Sequence, residues 1–146
     1  MSISGPKNSV LGRLLSSAEA DGTLLVAAVG NEGRSTVAYP AADPNVIAIT
    51  AVDARMRLYN VANTGGEIAF AAPGVDLLVV GENGSGYRSG TSYATAIASA
   101  VIAHEIGNGA RGRAGVVDAL RRDARDLGKP GRDPRFGWGL LQLSGC

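Results

Sequence analysis

Three continuous apolar runs constrain the fold of this chain more than any other feature. They cover residues 23–29 (TLLVAAV), 45–52 (NVIAITAV) and 67–72 (EIAFAA). Runs rich in Val, Ile and Ala, without a polar residue at every second position, are typical of parallel strands that are buried on both faces. The sequence therefore predicts a mostly parallel sheet at the centre of an α/β domain.

Segments with the apolar spacing of a helix alternate with these strands. Helices are predicted from residue 8 or 9 to 20, from 91 to 107 or 108, and over 114–126. Residues 76–81 and 87–89 are predicted to form a small antiparallel ribbon across a turn at Asn83-Gly84. This alternation indicates a doubly wound α/β sheet with flanking helices. Because only about three strands are recognisable, residues 1–146 are expected to form a single incomplete domain.

The composition excludes several kinds of partner. Fourteen basic and thirteen acidic residues leave a net charge of +1, so no nucleic-acid partner is expected. No apolar run approaches the ~20 residues that a membrane span needs, so no membrane partner is expected either. No signal peptide is visible at the N-terminus, and Cys146 is the only cysteine, so no internal disulfide can form. The compartment is left open.

Ser92 is a candidate nucleophile because of its predicted place at the start of a buried helix. Helix N-termini present unpaired N–H groups and the positive end of the helix dipole, which favour developing negative charge. A serine that passes through an oxyanion intermediate benefits from that position. The alternative is that Thr91 or Ser92 only caps the helix.

Asn31 lies in the Gly-rich turn that follows the first predicted strand. Ligands bind beyond the carboxyl ends of strands in open α/β sheets, and the Asn31 amide can donate a hydrogen bond into that crevice. The alternative is an ordinary turn residue beside two glycines. A nucleotide-binding domain is a further alternative, but this turn has neither a GxGxxG pattern nor a Lys-Ser/Thr pair at the required spacing.

Six segments, in order along nearly the whole chain, resemble the subtilisin-like serine peptidases. They are Ser2-Ile3-Ser4-Gly5-Pro6, residues 26–33 (VAAVGNEG), Tyr39-Pro40-Ala41, Ala72-Pro73-Gly74-Val75, Gly90-Thr91-Ser92 and Gly137-Trp138-Gly139-Leu140. Each segment alone is a weak signal, whereas six in the family's order are specific. The resemblance implies the C-terminal, nucleophile-bearing half of a subtilisin-like catalytic domain.

The resemblance also implies a set of site residues. Ser92 would be the nucleophile of a serine endopeptidase, and its N–H and the Asn31 side chain would form the oxyanion hole. Residues of three segments would line the primary specificity pocket and bind the peptide as an added strand. They are Ser2, Ile3, Ser4, Ala28, Val29, Gly30, Ala38, Tyr39 and Pro40. Ser4 and Ala38 stand where the family often has Gly, which predicts a narrower pocket, and Ala96 replaces the family's usual Pro.

A general base for Ser92 is not recognisable in the sequence. The family uses a His oriented by an Asp, and the motifs of both are missing from this chain. His104 lies twelve residues after Ser92, which is about 18 Å along one helix, and is expected to have a partly buried structural role. Asp43, Asp53 and Asp76 are predicted on loops; a carboxylate that activated Ser92 directly would be a different kind of enzyme.

The sequence therefore predicts a subtilisin-like fragment that is inactive alone. The alternative is a non-catalytic pseudo-protease or peptide-binding module that pairs with a separate N-terminal half. Expected partners are a peptide or protein substrate, the missing half, and a second copy through an exposed sheet edge. No cofactor is expected; the resemblance alone suggests calcium, with Glu67 near a usual ligand position, and a parent family that is mostly secreted.

Overall fold

A computed structural model describes residues 1–81 and 84–143, and it has a three-stranded parallel sheet at its centre. The strands are β1 (Leu25–Ala28), β2 (Val46–Val52) and β3 (Ile68–Pro73), in the order β1-β2-β3. Ala27 lies opposite Ala48 and Ala51 lies opposite Ala72, with a register shift between Ala48 and Ile49. All seven residues of β2 are buried, as the apolar run predicted.

Helices cover both faces of this sheet. The helices are α1 (Ser9–Ala20), α2 (Thr91–Gly107) and α3 (Gly112–Asp123). Ile47 and Ile49 of β2 pack with α2 and α3, whereas Val46 and Ala48 pack with Leu15 of α1. Since successive side chains of a strand point to opposite faces, β2 supplies both cores at once. The predicted α/β architecture, a partial doubly wound sheet with flanking helices, is confirmed.

A two-stranded antiparallel hairpin connects the sheet to α2. It consists of β4 (Leu77–Gly81) and β5 (Gly84–Arg88), with Leu78 opposite Tyr87. Leu78, Val80 and Tyr87 are largely exposed. A ribbon was predicted here, but its second strand is Gly84–Arg88 rather than residues 87–89; of the predicted turn, Asn83 lies outside the described residues and Gly84 begins β5.

Two predictions about the helices need correction. The third helix ends at Asp123 rather than at residue 126, because Ala124 is extended and Arg125 exchanges two backbone hydrogen bonds with Leu140, at 2.9 and 2.8 Å. His104 is exposed instead of partly buried. The buried stripe of α2 runs through Val101, Ile102 and Glu105, so the intervening position faces away from the sheet.

The last described segment returns to the sheet, as expected, and extends it beside β3. The N–H of Ala71 donates to the Gly139 carbonyl at 2.8 Å, and the N–H of Leu141 donates to the Ala71 carbonyl at 2.9 Å. The Arg121 guanidinium lies 4.0 Å from the centre of the Trp138 ring and covers it. Gly137 makes this approach possible, because a Cβ there would lie 2.2 Å from the Ala69 carbonyl oxygen.

The first residues of the chain lie at the opposite edge of the sheet, beside β1. The N–H of Ala28 donates to the Met1 carbonyl at 3.1 Å, and the Met1 nitrogen donates to the Val26 carbonyl. Met1 thus lies beside the outer edge of β1, whereas Gly5 pairs with Tyr39. Among the described residues, no helix is long and apolar enough to cross a bilayer.

Replacing Gly137 by Ala should lower the free energy of unfolding by about 2 kcal/mol or more. The φ of Gly137 is 62°, a left-handed conformation that costs other residues about 1–2 kcal/mol. The added methyl group would also displace the backbone of β3. The measurement is urea denaturation of both proteins.

Gly115→Ala in α3 is the matched control. Nothing lies within 4 Å of a Cβ at Gly115, so the helix propensity of Ala should raise the free energy of unfolding by up to about 1 kcal/mol. Equal effects of the two substitutions would contradict the close approach at Gly137.

Candidate active site

A small cleft lies between the end of β1 and the start of α2. Its volume is about 110 Å³. The residues that line it come from the first residues of the chain, the end of β1, the following loop and the first turn of α2. They are Ser2, Ile3, Ser4, Ala28, Gly30, Asn31, Glu32, Thr91 and Ser92. The cleft thus lies at the carboxyl end of a parallel strand, which is where ligands bind in open α/β sheets.

The first turn of α2 leaves one backbone N–H available to the cleft. The N–H of Gly90 donates to the Gly74 carbonyl at 2.8 Å, and the N–H of Tyr93 donates to the Gly90 carbonyl at 3.1 Å. The N–H of Thr91 donates to Asn31 Oδ1 at 3.0 Å. Within the described part of the chain, the Ser92 N–H has no such acceptor, although the first amides of a helix need partners outside it.

Asn31 joins the loop after β1 to α2. Because its Oδ1 accepts from Thr91, its Nδ2 remains to donate elsewhere. Nδ2 lies 3.8 Å from the position of a Cβ on Gly90, so it lies close to the start of the helix. The Asn31 amide and the Ser92 N–H are therefore two donors at one cleft.

The Ser92 hydroxyl is half-buried and contacts another hydroxyl. Ser2 Oγ donates to Ser92 Oγ at 2.5 Å. A hydroxyl does not accept a proton readily near neutral pH, so this contact orients Ser92 without activating it. No other side-chain bond to Ser92 Oγ is found among residues 1–81 and 84–143.

The sequence reasoning missed two residues that hold this loop. Asn63 lies in the polar segment between β2 and β3 but is only 1% exposed, and Glu32 lines the cleft. Asn63 Nδ2 donates to Glu32 Oε2 at 2.6 Å, and Ser4 Oγ donates weakly to Glu32 Oε1 at 3.5 Å. Nothing local in the sequence distinguishes a buried Asn from a loop Asn, so only the fold identifies this contact.

The nine predicted substrate-binding residues are brought near one another, but they do not share one surface. Five of them line the cleft. Ala38 and Tyr39 line an adjoining cavity of about 470 Å³, which shares Ser4 and Glu32 with the cleft. Val29 and Pro40 are buried and line neither. The segments are joined by hydrogen bonds from the Ala38 N–H to the Val29 carbonyl and between Gly5 and Tyr39.

A third cavity, of about 540 Å³, lies beside the base of the hairpin. Asp53 lines it, and its pKa lies below the ordinary value of 3.8. The main cause is the hydrogen bond from the Arg57 N–H, opposed by partial desolvation and supported by the Arg57 guanidinium at 2.7 Å. Ser89 and Asp76 also line this cavity, and they exchange two hydrogen bonds, at 2.9 and 3.3 Å. Neither Asp53 nor Asp76 is found bonded to Ser92 among the described residues.

The described residues contain no cluster of acidic, histidine or cysteine side chains. In the part of the chain that the structure describes, no three His, Cys, Asp or Glu residues come close enough together to hold a metal ion. Glu67 is exposed and belongs to no such group.

Comparison with known proteins gives consistent matches. A model of the subtilase family matches residues 2–139. The minor extracellular protease Epr of Bacillus subtilis is 36% identical over 138 residues, which cover 92% of this chain and 21% of that protein. Halolysin of Haloferax mediterranei is 37% identical over 107 residues, covering 72% of this chain and 21% of that protein. This chain thus spans about a fifth of the length of these relatives.

A solved structure shows the same fold. The crystal structure of a lanthipeptide protease matches with a TM-score of 0.78, covering 90% of this chain and 52% of that chain. The sequence identity is 24%, so this likeness supports the architecture and carries no conclusion about substrates.

Asn31→Ala should lower the free energy of unfolding by about 1 kcal/mol, the usual effect of removing a side-chain cap from a helix N-terminus. Asn31→Asp is the matched control, because its carboxylate still accepts from the Thr91 N–H and is favoured by the helix dipole. Urea denaturation measures both. Equal losses in the two variants would show that the Asn31–Thr91 hydrogen bond contributes nothing to stability.

Proposed function

This chain belongs to the subtilase family, and on that premise we propose that it carries the nucleophile and the oxyanion hole of a serine endopeptidase. Ser92 is the proposed nucleophile. The observation that supports this most directly is the pair of donors at one cleft, the Ser92 N–H and the Asn31 amide. An acyl transfer needs such donors where negative charge develops on the substrate carbonyl oxygen.

The proposed reaction proceeds through an acyl-enzyme. Ser92 Oγ attacks the carbonyl carbon of the peptide bond and gives up its proton to a general base, and the carbonyl oxygen becomes an oxyanion. The Ser92 N–H and Asn31 Nδ2 donate to that oxygen. Collapse of the intermediate breaks the C–N bond, and the amine leaves with the proton from the base. Water then hydrolyses the ester on Ser92 in the same way.

The general base is proposed to come from polypeptide that is not among these 146 residues. The only side-chain hydrogen bond of Ser92 Oγ in the described part is with the Ser2 hydroxyl, which is not a base. His104 is exposed and lies about 18 Å away along α2. By the family resemblance, the missing groups are a His and the Asp that orients it. Alone, the chain should have little peptidase activity.

The substrate is proposed to bind as an extended peptide against the segments that flank the cleft. Ser2, Ile3 and Ser4 are exposed, and this segment runs beside the Ala28–Gly30 segment at the cleft. An extended peptide can add to such backbone by strand-like hydrogen bonds, with its side chains in the neighbouring cavities. The side chain of Ser4 in the cleft and that of Ala38 in the adjoining cavity fill space that a Gly would leave open.

The second candidate function is peptide binding without catalysis. The same Ser2–Ser92 hydrogen bond supports it, because the nucleophile then has a neutral partner and no base. The two functions differ in one respect that can be measured, namely the reactivity of Ser92 once a His- and Asp-bearing partner is present.

Labelling with a serine-reactive phosphonate tests the proposed function. The chain alone should react slowly, because no base deprotonates Ser92. After mixing with the His- and Asp-bearing half of a subtilase, labelling and hydrolysis of a peptide substrate should rise together. Mass spectrometry of the labelled peptide identifies the residue, and Ser92→Ala should remove the label.

Ser99→Ala is the control, since Ser99 lies in α2 and donates to the Thr95 carbonyl at 2.8 Å, away from the cleft. This variant should label like the unchanged chain. Fast labelling of the chain alone would contradict the missing base. If Ser92 still fails to react after the His- and Asp-bearing half is added, peptide binding without catalysis is favoured.

Self-association through the β1 edge is a further part of the proposal. Among the described residues, β1 pairs with β2 on one side and on the other side meets only Met1, through two hydrogen bonds. An apolar edge of this kind favours pairing with a second chain. Light scattering should therefore show dimers or larger species, and a monomer at high concentration would contradict this.

A further inference from the structure

The Asn63 side chain makes every hydrogen bond that a primary amide can make. Nδ2 donates to the Val29 carbonyl at 3.0 Å and to Glu32 Oε2 at 2.6 Å. Oδ1 accepts from the N–H of Glu32 at 3.2 Å and from the N–H of Arg34 at 2.9 Å. Two donors and two acceptor positions are thereby used. With 1% of Asn63 exposed, water cannot replace these partners.

These hydrogen bonds are made to residues on both sides of Asn31 in the sequence, and none is made to Asn31 itself. Asn63 binds the residue two positions before Asn31 and those one and three positions after it. The backbone strengthens this arrangement, because the N–H of Asn63 donates to the Gly30 carbonyl at 3.0 Å and the N–H of Gly33 donates to the Val61 carbonyl at 2.8 Å. The loop that carries Asn31 is therefore fixed on both sides by the segment around Asn63.

Gly30 shows how closely this loop fits. Its φ is 102°, and a Cβ there would lie 2.4 Å from Asn63 Nδ2 and 2.5 Å from Glu32 Oε2. The amide of Asn63 thus occupies the space that a side chain at residue 30 would take. Any residue other than Gly at position 30 would therefore displace Asn63 or Glu32.

We propose that Asn63 is the positioning residue of this site. It fixes the backbone on both sides of Asn31, so that Asn31 Oδ1 meets the Thr91 N–H and Nδ2 is left for the substrate oxyanion. The role assigned to Nδ2 rests on the proposed function, whereas the positioning of Asn31 does not. Because a displacement of about 1 Å can cost up to 10²-fold in rate, losing the four bonds should lower kcat by about 10- to 100-fold.

Hydrogen exchange measures the positioning in the chain as it is, without any activity. In Asn63→Ala, the Thr91 N–H should exchange at least about tenfold faster than in the unchanged chain, since Asn31 Oδ1 no longer stays in place to accept it. The N–H of Ile49, in the middle of β2, should keep its rate. Thr64→Val is the control next in sequence, and it should leave both rates unchanged.

Glu32→Ala covers the case in which Asn63→Ala unfolds the chain and both amides exchange faster. Glu32 is exposed, and removing its side chain removes one of the four hydrogen bonds of Asn63, so the Thr91 N–H alone should exchange faster, to a smaller extent. An unchanged Thr91 rate in Glu32→Ala and in folded Asn63→Ala would overturn the proposal.

A double-mutant cycle connects the positioning to the rate in the assembled, active protein. Asn63→Ala should lower kcat with little change in KM, and it should cause no further loss in an Asn31→Ala background, because it acts through Asn31. If the kcat losses of the two single substitutions multiply in the double variant, the proposal is overturned. If Asn31→Ala leaves kcat unchanged, the proposed function of Asn31 fails, and the exchange of Thr91 still decides the role of Asn63.

Discussion

The hydrogen bond from the Thr91 N–H to Asn31 Oδ1 is the contact on which the cleft depends. It joins the loop after β1 to the first turn of α2, two elements separated by 60 positions in the sequence. Without it, the Asn31 amide and the Ser92 N–H would belong to parts of the chain with no fixed relation. With it, one side-chain oxygen caps the helix while the nitrogen of the same amide remains free to donate.

The sheet explains why these two elements meet. Parallel strands direct their carboxyl ends to one edge, and α2 lies across the same sheet with its first turn at that edge. The core holds this geometry through Ile47 and Ile49, which pack under the helix, and through small residues such as Ala94 and Ala98, which let the helix lie close. Packing of the sheet brings the two elements together, and the Asn31–Thr91 hydrogen bond then fixes the two donors relative to one another.

The parts of this fold that depend on periodicity were predictable from the sequence. The three strands, the hairpin and the starts of α1 and α2 follow from apolar runs, turns and caps that lie within a few residues of each other. Ser92 and Asn31 were candidates through the resemblance to the subtilases, since the local sequence alone also fitted a helix cap and a turn residue, and both line one cleft. Asn63 was not, because its four partners come from the loop after β1 and no local pattern marks a buried amide. The end of α3 and the exposure of His104 were missed for the same reason, since Leu140 and the sheet determine them.

The central claim is that the Ser92 N–H and Asn31 Nδ2 bind one oxyanion. A crystal structure of the assembled protein with a peptide boronic acid bound to Ser92 Oγ tests it most directly, because the tetrahedral boronate mimics the intermediate. The account predicts a boronate oxygen about 2.7–3.1 Å from both nitrogens. A boronate bound to Ser92 with that oxygen directed away from Asn31, or bound to another residue, would contradict it.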